Sequence, residues 1–219
     1  MFRRIYASSL VASAMLLMTG AANAAVIELA VNGGLETGDF SGWVQFPGSL
    51  GAAGQQISTV NPSTGTYSAN LTEPAPAANI IKQANLAPGA WTPGQEINIS
   101  FDYRGTASAG GVLFAELFSE IAGGGTSSSV ILGGGPLFPN ADPDVWTSAA
   151  FLGFAGPDTS GGITLQFNAA CGADANCVSD YFIDNVSIMA DVAVIPVPAA
   201  VWLFGSALGI LGWMRRRVS

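Results

Sequence analysis

The sequence predicts an all-β protein, a two-sheet β-sandwich or jelly roll, over residues 25–192. Three observations predict it. Apolar residues alternate with polar ones in twos and show no sustained helical spacing, which is the pattern of half-buried strands. Clusters of Gly, Pro, Asn and Ser interrupt these runs at short intervals. The resulting ten or so short strands, in a stretch of about one domain's length, are what a sandwich of antiparallel sheets requires.

The elements follow in order. Strands are expected at 26–31, 43–47, 55–60, 66–72 and 79–85, separated by turn-makers such as Asn61-Pro62-Ser63. After Pro88-Gly89 comes the clearest alternation: Ile97, Ile99, Phe101 and Tyr103 share one face, with Asn98, Ser100, Asp102 and Arg104 opposite. A strand at 111–121 puts Leu113, Ala115, Leu117 and Ile121 on one side and Phe114, Glu116, Phe118 and Glu120 on the other. That second side is either solvent-exposed or the floor of a shallow cleft. Strands at 127–132 and 144–154 follow, divided by Gly133 to Pro136. In the next, Ile163, Leu165 and Phe167 alternate with Thr164, Gln166 and Asn168, and a last strand covers 180–190. No internal repeat is evident.

Both ends differ in kind from the body. Residues 1–24 read as a secretory signal peptide: Arg3 and Arg4 form a basic start, Leu10 to Met18 an apolar stretch, and Ala22-Asn23-Ala24 a small-x-small cleavage site. From Val197 to Met214 the chain carries no charge, and Arg215, Arg216 and Arg217 follow at once. A run of that length just suffices for one transmembrane helix, and the arginines place its end on the cytoplasmic side. The body is therefore expected outside the cytosol, on the periplasmic side of the membrane.

Charge sorts the same way. All fifteen carboxylates lie between Glu28 and Asp191, against Lys82 and Arg104 alone, so the body carries a net charge of −13. Nucleic acid is thereby excluded as a partner, since binding it needs cations to neutralise phosphates. The two cysteines, Cys171 and Cys177, are expected to form a disulfide closing a small loop in an exported chain. With no histidine the usual triads and the commonest general base are missing. Glu116 and Glu120, four residues apart on one strand face, would stand roughly 13 Å apart. That exceeds the roughly 5–9.5 Å of glycosidase acid pairs, so the expectation is a protein that is not an enzyme.

The segment from Val194 to Arg217 resembles the PEP-CTERM class of sorting signals, in its Val-Pro-Leu-Pro-Ala variant. Here the motif reads Ile195, Pro196, Val197, Pro198 and Ala199, followed by the apolar run and the Arg cluster. The resemblance implies that residues 193–219 are a sorting signal, that an exosortase-type transpeptidase is a partner, and that the host is a Gram-negative bacterium. Val197 stands where the commoner form has Glu. The body's opening, NGGLETGDFSGW from Asn32 to Trp43, and its closing strand, YFIDNVSI from Tyr181 to Ile188, resemble the end strands of jelly-roll carbohydrate-binding modules.

That second resemblance implies a structural calcium ion held by Glu36 and Asp184, with Asn32 completing the site. Ca²⁺ takes six to eight oxygens, so carboxylates and carbonyls suit it. The alternative reading has Glu36 capping a turn and Asp184 accepting backbone amides. For sugar, the stacking platform is expected at Trp91, in the loop PGAWTPG, with Tyr67 and Tyr103 as lesser options and Trp43 in the core. Two functions are then open. One is a non-catalytic module binding extracellular polysaccharide. The other is a structural matrix or envelope component that self-associates without a defined sugar site.

Overall fold

The computed structural model describes residues 25–192. The signal peptide at 1–24 and the sorting segment at 193–219, including Pro196, Val197, Pro198 and Arg215 to Arg217, lie outside the described residues.

Alternation decides the layers. Eleven strands form: β1 Ala25–Glu28, β2 Val44–Phe46, β3 Gln55–Ser58, β4 Ser68–Glu73, β5 Ala78–Leu86, β6 Glu96–Ser108, β7 Val112–Glu120, β8 Thr126–Ile131, β9 Thr147–Phe154, β10 Gly162–Ala170 and β11 Val178–Val192. One sheet has the order β3-β4-β11-β6-β9, with β1 on β11; the other runs β2-β5-β10-β7-β8. All pairings are antiparallel. The sequence-based strands match these to within about two residues at the ends predicted, except that β1 stops at Glu28 rather than residue 31 and β9 begins three residues later, after the turn in which Asp142 Oδ1 accepts the Asp144 amide.

The inward faces meet as one core. Ile97, Ile99, Phe101 and Tyr103 of β6 face Leu113, Ala115 and Leu117 of β7 and Ile163, Leu165 and Phe167 of β10, all buried. Phe101 and Phe167 join the sheets edge to face with centroids 4.8 Å apart. Such a pair is worth about 1 kcal/mol beyond its buried area. Trp43 packs on Phe167 at 6.1 Å, as expected of a core residue.

The ends of the body are tied together, because β1 pairs β11 from Ala25↔Val192 to Glu28↔Met189. On its other edge β11 breaks register with β6 between Asp184 and Ser187, where Asn185 takes a left-handed conformation (φ 51°). The opening segment plugs this bulge: the Val186 amide donates to Gly33 O at 3.0 Å. A Cβ at Gly33 would lie 1.9 Å from Val186 O, so no other residue fits. Cys171 and Cys177 are bonded, with Cα atoms 5.8 Å apart, closing the loop between β10 and β11.

Candidate functional site

Two outer faces remain once the core is closed, and their side chains behave differently. On the outer face of the six-stranded sheet, polar groups hold loops. Arg104, only 3 % exposed, donates to the carbonyls of Val60, Asn61 and Pro143. Its guanidinium lies 3.7 Å from the Phe182 ring centroid and 5.2 Å from that of Trp146. Asp102 accepts from Ser63 Oγ, Ser148 Oγ and Asn185 Nδ2. Burial pushes its carboxyl up, but these hydrogen bonds outweigh it and the net shift is downward.

Glu36 and Asp184 meet here too. Asp184 is fully buried and accepts the amides of Ser63, Thr64 and Asn185. Glu36 accepts those of Thr66 and Tyr67. Gly65 leaves room for this carboxylate, since its φ is +63° and a Cβ there would stand 2.5 Å from Glu36 Cδ. Burial raises the Asp184 carboxyl above its ordinary value, and the Glu36 charge adds to the rise. Asn32 does not join them. Its side-chain nitrogen donates to Thr37, Asp39 and Ser41, and its oxygen accepts the Thr37 amide, so it serves its own loop. Among the described residues no group of three or more Asp, Glu, His or Cys is placed to hold a metal ion. Both carboxylates accept backbone amides, as the reading without calcium has it, and among the described residues neither has a cationic side chain in contact.

The expected aromatic platform is corrected. Trp91 is 7 % exposed, because its ring turns into the core and its Nε1 donates to Leu86 O. Tyr103 is equally buried and donates to Phe138 O. Tyr67 is half-buried, packed on the core and against Gly38. None of the three offers an open ring face.

The outer face of the five-stranded sheet supplies aromatic rings instead. Cross-strand partners in antiparallel sheets point to the same side about 5 Å apart, so the register sets the rows. The central row runs Val44, Lys82, Gln166, Glu116, Ile131. Beside it, about 7 Å along the strands, run Phe46, Ile80, Asn168 and Phe114. On the other side stand Thr164, Phe118 and Ser129. Phe114 and Phe118 thus bracket a polar strip. In it Gln166 Nε2 donates to Glu116 Oε2 at 2.7 Å, and Lys82 Nζ sits 4.9 Å from the Phe46 centroid. Asn168 Oδ1 is shielded and has no hydrogen-bond partner. Sequence reasoning isolated the Phe114–Glu120 face but could not add the neighbouring strands to it.

A shallow depression of about 240 Å³ lies on the opposite face, among Asn98, Ser100, Ala150, Phe151, Ser187 and Met189. It holds no charged side chain.

No family model matches the chain, and no curated protein matches it. Solved structures do. The family 16 carbohydrate-binding module-2 superposes with a TM-score of 0.52 at 15% identity, covering 73% of this chain and 98% of that one. The C-terminal family 22 carbohydrate-binding module of Clostridium thermocellum Xyn10B gives 0.50 at 17%, covering 81% and 99%. The enzymatically active domain of bacteriophage CBA120 tailspike protein 4 gives 0.54 at 16%, covering 74% of this chain. The chain spans about a fifth (21%) of that tailspike chain. Residues 25–192 therefore share the fold of jelly-roll carbohydrate-binding modules, and at these identities the likeness is one of fold.

Proposed function

We propose that residues 25–192 form a non-catalytic module that binds an extracellular polysaccharide on the outer face of the five-stranded sheet. The observation that carries this reading is the strip of Lys82, Gln166 and Glu116 bracketed by Phe114 and Phe118. Sugars present apolar C–H faces and hydroxyl edges, so rings beside paired donors and acceptors match them. The fold's likeness to carbohydrate-binding modules supports the same reading. In this proposal the chain is exported, held at the membrane by residues 193–219 and handed to an exosortase-type enzyme. The sequence of its two ends supports that route.

A calcium ion between Glu36 and Asp184 is a second part of the proposal, supported by the buried Asp184 carboxylate and the Glu36 charge that acts on it. Addition of calcium after chelation should raise the melting temperature, and the gain should vanish in Glu36→Gln. For the binding site, titration of the intact protein into soluble polysaccharides by calorimetry is the test. Binding by the native protein that disappears in Phe118→Ala but persists in Glu28→Gln supports the reading. Equal binding by both variants overturns the assignment of this face.

A further inference from the structure

β9, Thr147–Phe154, is a sheet edge that lacks charge, proline and bulge, with the turn Leu132–Gly134 packed only against its inward-facing Phe151. Natural edge strands are blunted by lysines, prolines, bulges or cover, because their free N–H and C=O groups template further pairing. Among the described residues, no hydrogen bond from outside β6 reaches the backbone of 147–154. Outward from this strand stand Ala150, Leu152 and Phe154, the last two 50 % and 52 % exposed.

The same side of the sandwich carries β8, the edge of the other sheet. A Cβ at Gly156, two residues past β9, would meet Ser128 Oγ of β8, and one at Gly153 would meet Leu117 of β7. Val130 and Ile131 of β8 are 52 % and 39 % exposed. Phe138 and Val145, on the connection between the two strands, are also exposed. Among the described residues, six of the twelve exposed large apolar side chains fall within residues 130–154. Only two carboxylates lie in that span, Asp142 and Asp144, and Asp144 is 3.6 Å from the Arg104 guanidinium.

We infer that this wall is a dimer interface, on which a second copy of the chain pairs β9 antiparallel with β9 across a two-fold axis. Charge selects the occupant. Two bodies of net charge −13 repel wherever their carboxylates face each other; the β9 edge carries none, and Glu96 and Asp102 stand one strand behind it on β6. The geometry is self-complementary. Centring the axis on Phe151 sets Ala150 opposite Leu152 and Ser148 opposite Phe154, so the outward apolar pair Ala150–Leu152 forms twice across the axis. Pairing joins the two six-stranded sheets and satisfies both edges at once. The area suffices: β9 is about 26 Å long, and two packed sheets with their outer side chains are of similar depth. That is on the order of 700 Å² per copy, close to the about 800 Å² of a stable interface. The inference does not depend on the sugar reading, since β9 belongs to the six-stranded sheet and the strip of Lys82, Gln166 and Glu116 to the other, with Ile131 alone shared between the two surfaces.

Sedimentation velocity of the full chain in neutral detergent, with the detergent contribution subtracted, tests it. The native protein should sediment with twice the monomer mass. Leu152→Lys, at a half-exposed position that tolerates a charge within the fold, should sediment as a monomer. Leu50→Lys, equally exposed beside β3 on the far edge of the sheet, should stay dimeric. A monomeric native protein, a dimeric Leu152→Lys, or equal loss of dimer in both variants would overturn the inference. Retained glycan binding by a monomeric Leu152→Lys separates this result from failure of the binding-face assignment.

Discussion

The two outer faces of this sandwich spend their polar groups in opposite ways. On the six-stranded sheet, Arg104, Asp102 and Asp184 each take three hydrogen-bond partners from loops and neighbouring strand positions, and little is left for a ligand. On the five-stranded sheet, Lys82 and Asn168 are not tied to any loop, and the rings beside them are half open. The lesson is that charge by itself does not mark a site. The most buried ionisable residues here are fasteners, whereas the open face sets Lys82, Gln166 and Glu116 between Phe114 and Phe118.

Breaking a fastener should therefore affect stability far more than binding. Arg104→Ala removes three hydrogen bonds and two ring contacts from a buried position, so a loss of about 3 kcal/mol is expected in urea unfolding. Glycan affinity of the folded fraction should stay unchanged. Replacing Cys171 and Cys177 together by Ser should cost about 2 kcal/mol, the loop-closure entropy of so short a ring, read by the same unfolding curves. On the other face, Phe118→Ala should weaken glycan binding about tenfold, about 1.4 kcal/mol, while lowering the melting temperature only slightly.

The smallest effect concerns pH. Asp102 has a folded pKa below its unfolded value, so its contribution is present above pH 3.8 and is lost as pH falls through the lowered value. Asp184 acts in the opposite sense. Its raised pKa favours the protonated folded state, so that contribution is full below pH 3.8 and fades as pH rises through the raised value. Asp102→Asn should accordingly be less stable than the native protein near neutrality. The gap should narrow in melting curves recorded below pH 3.8.

Much of the fold was legible in the residues, because strand alternation is a local property. Ile97 to Tyr103 and Ile163 to Phe167 point inward as their spacing implies. The alternation also told against Tyr103 as a platform, since it shares the face of Ile97, Ile99 and Phe101. Trp91 was not legible in this way. Its Pro- and Gly-rich surroundings resemble an exposed loop, and only the Leu86 carbonyl and the core beneath it draw the ring inward. Phe114 and Phe118 stood out as a mixed face. Their meaning depended on which strand lay beside β7, and pairing at sequence separations of some fifty residues is invisible to local pattern.

The most direct test is amide chemical-shift mapping of the isotope-labelled protein during titration with a bound oligosaccharide. The account predicts that perturbations gather on β5, β7 and β10, around Lys82, Glu116 and Gln166. Perturbations centred on Asn98, Ser100 and Met189 of the opposite sheet would contradict it.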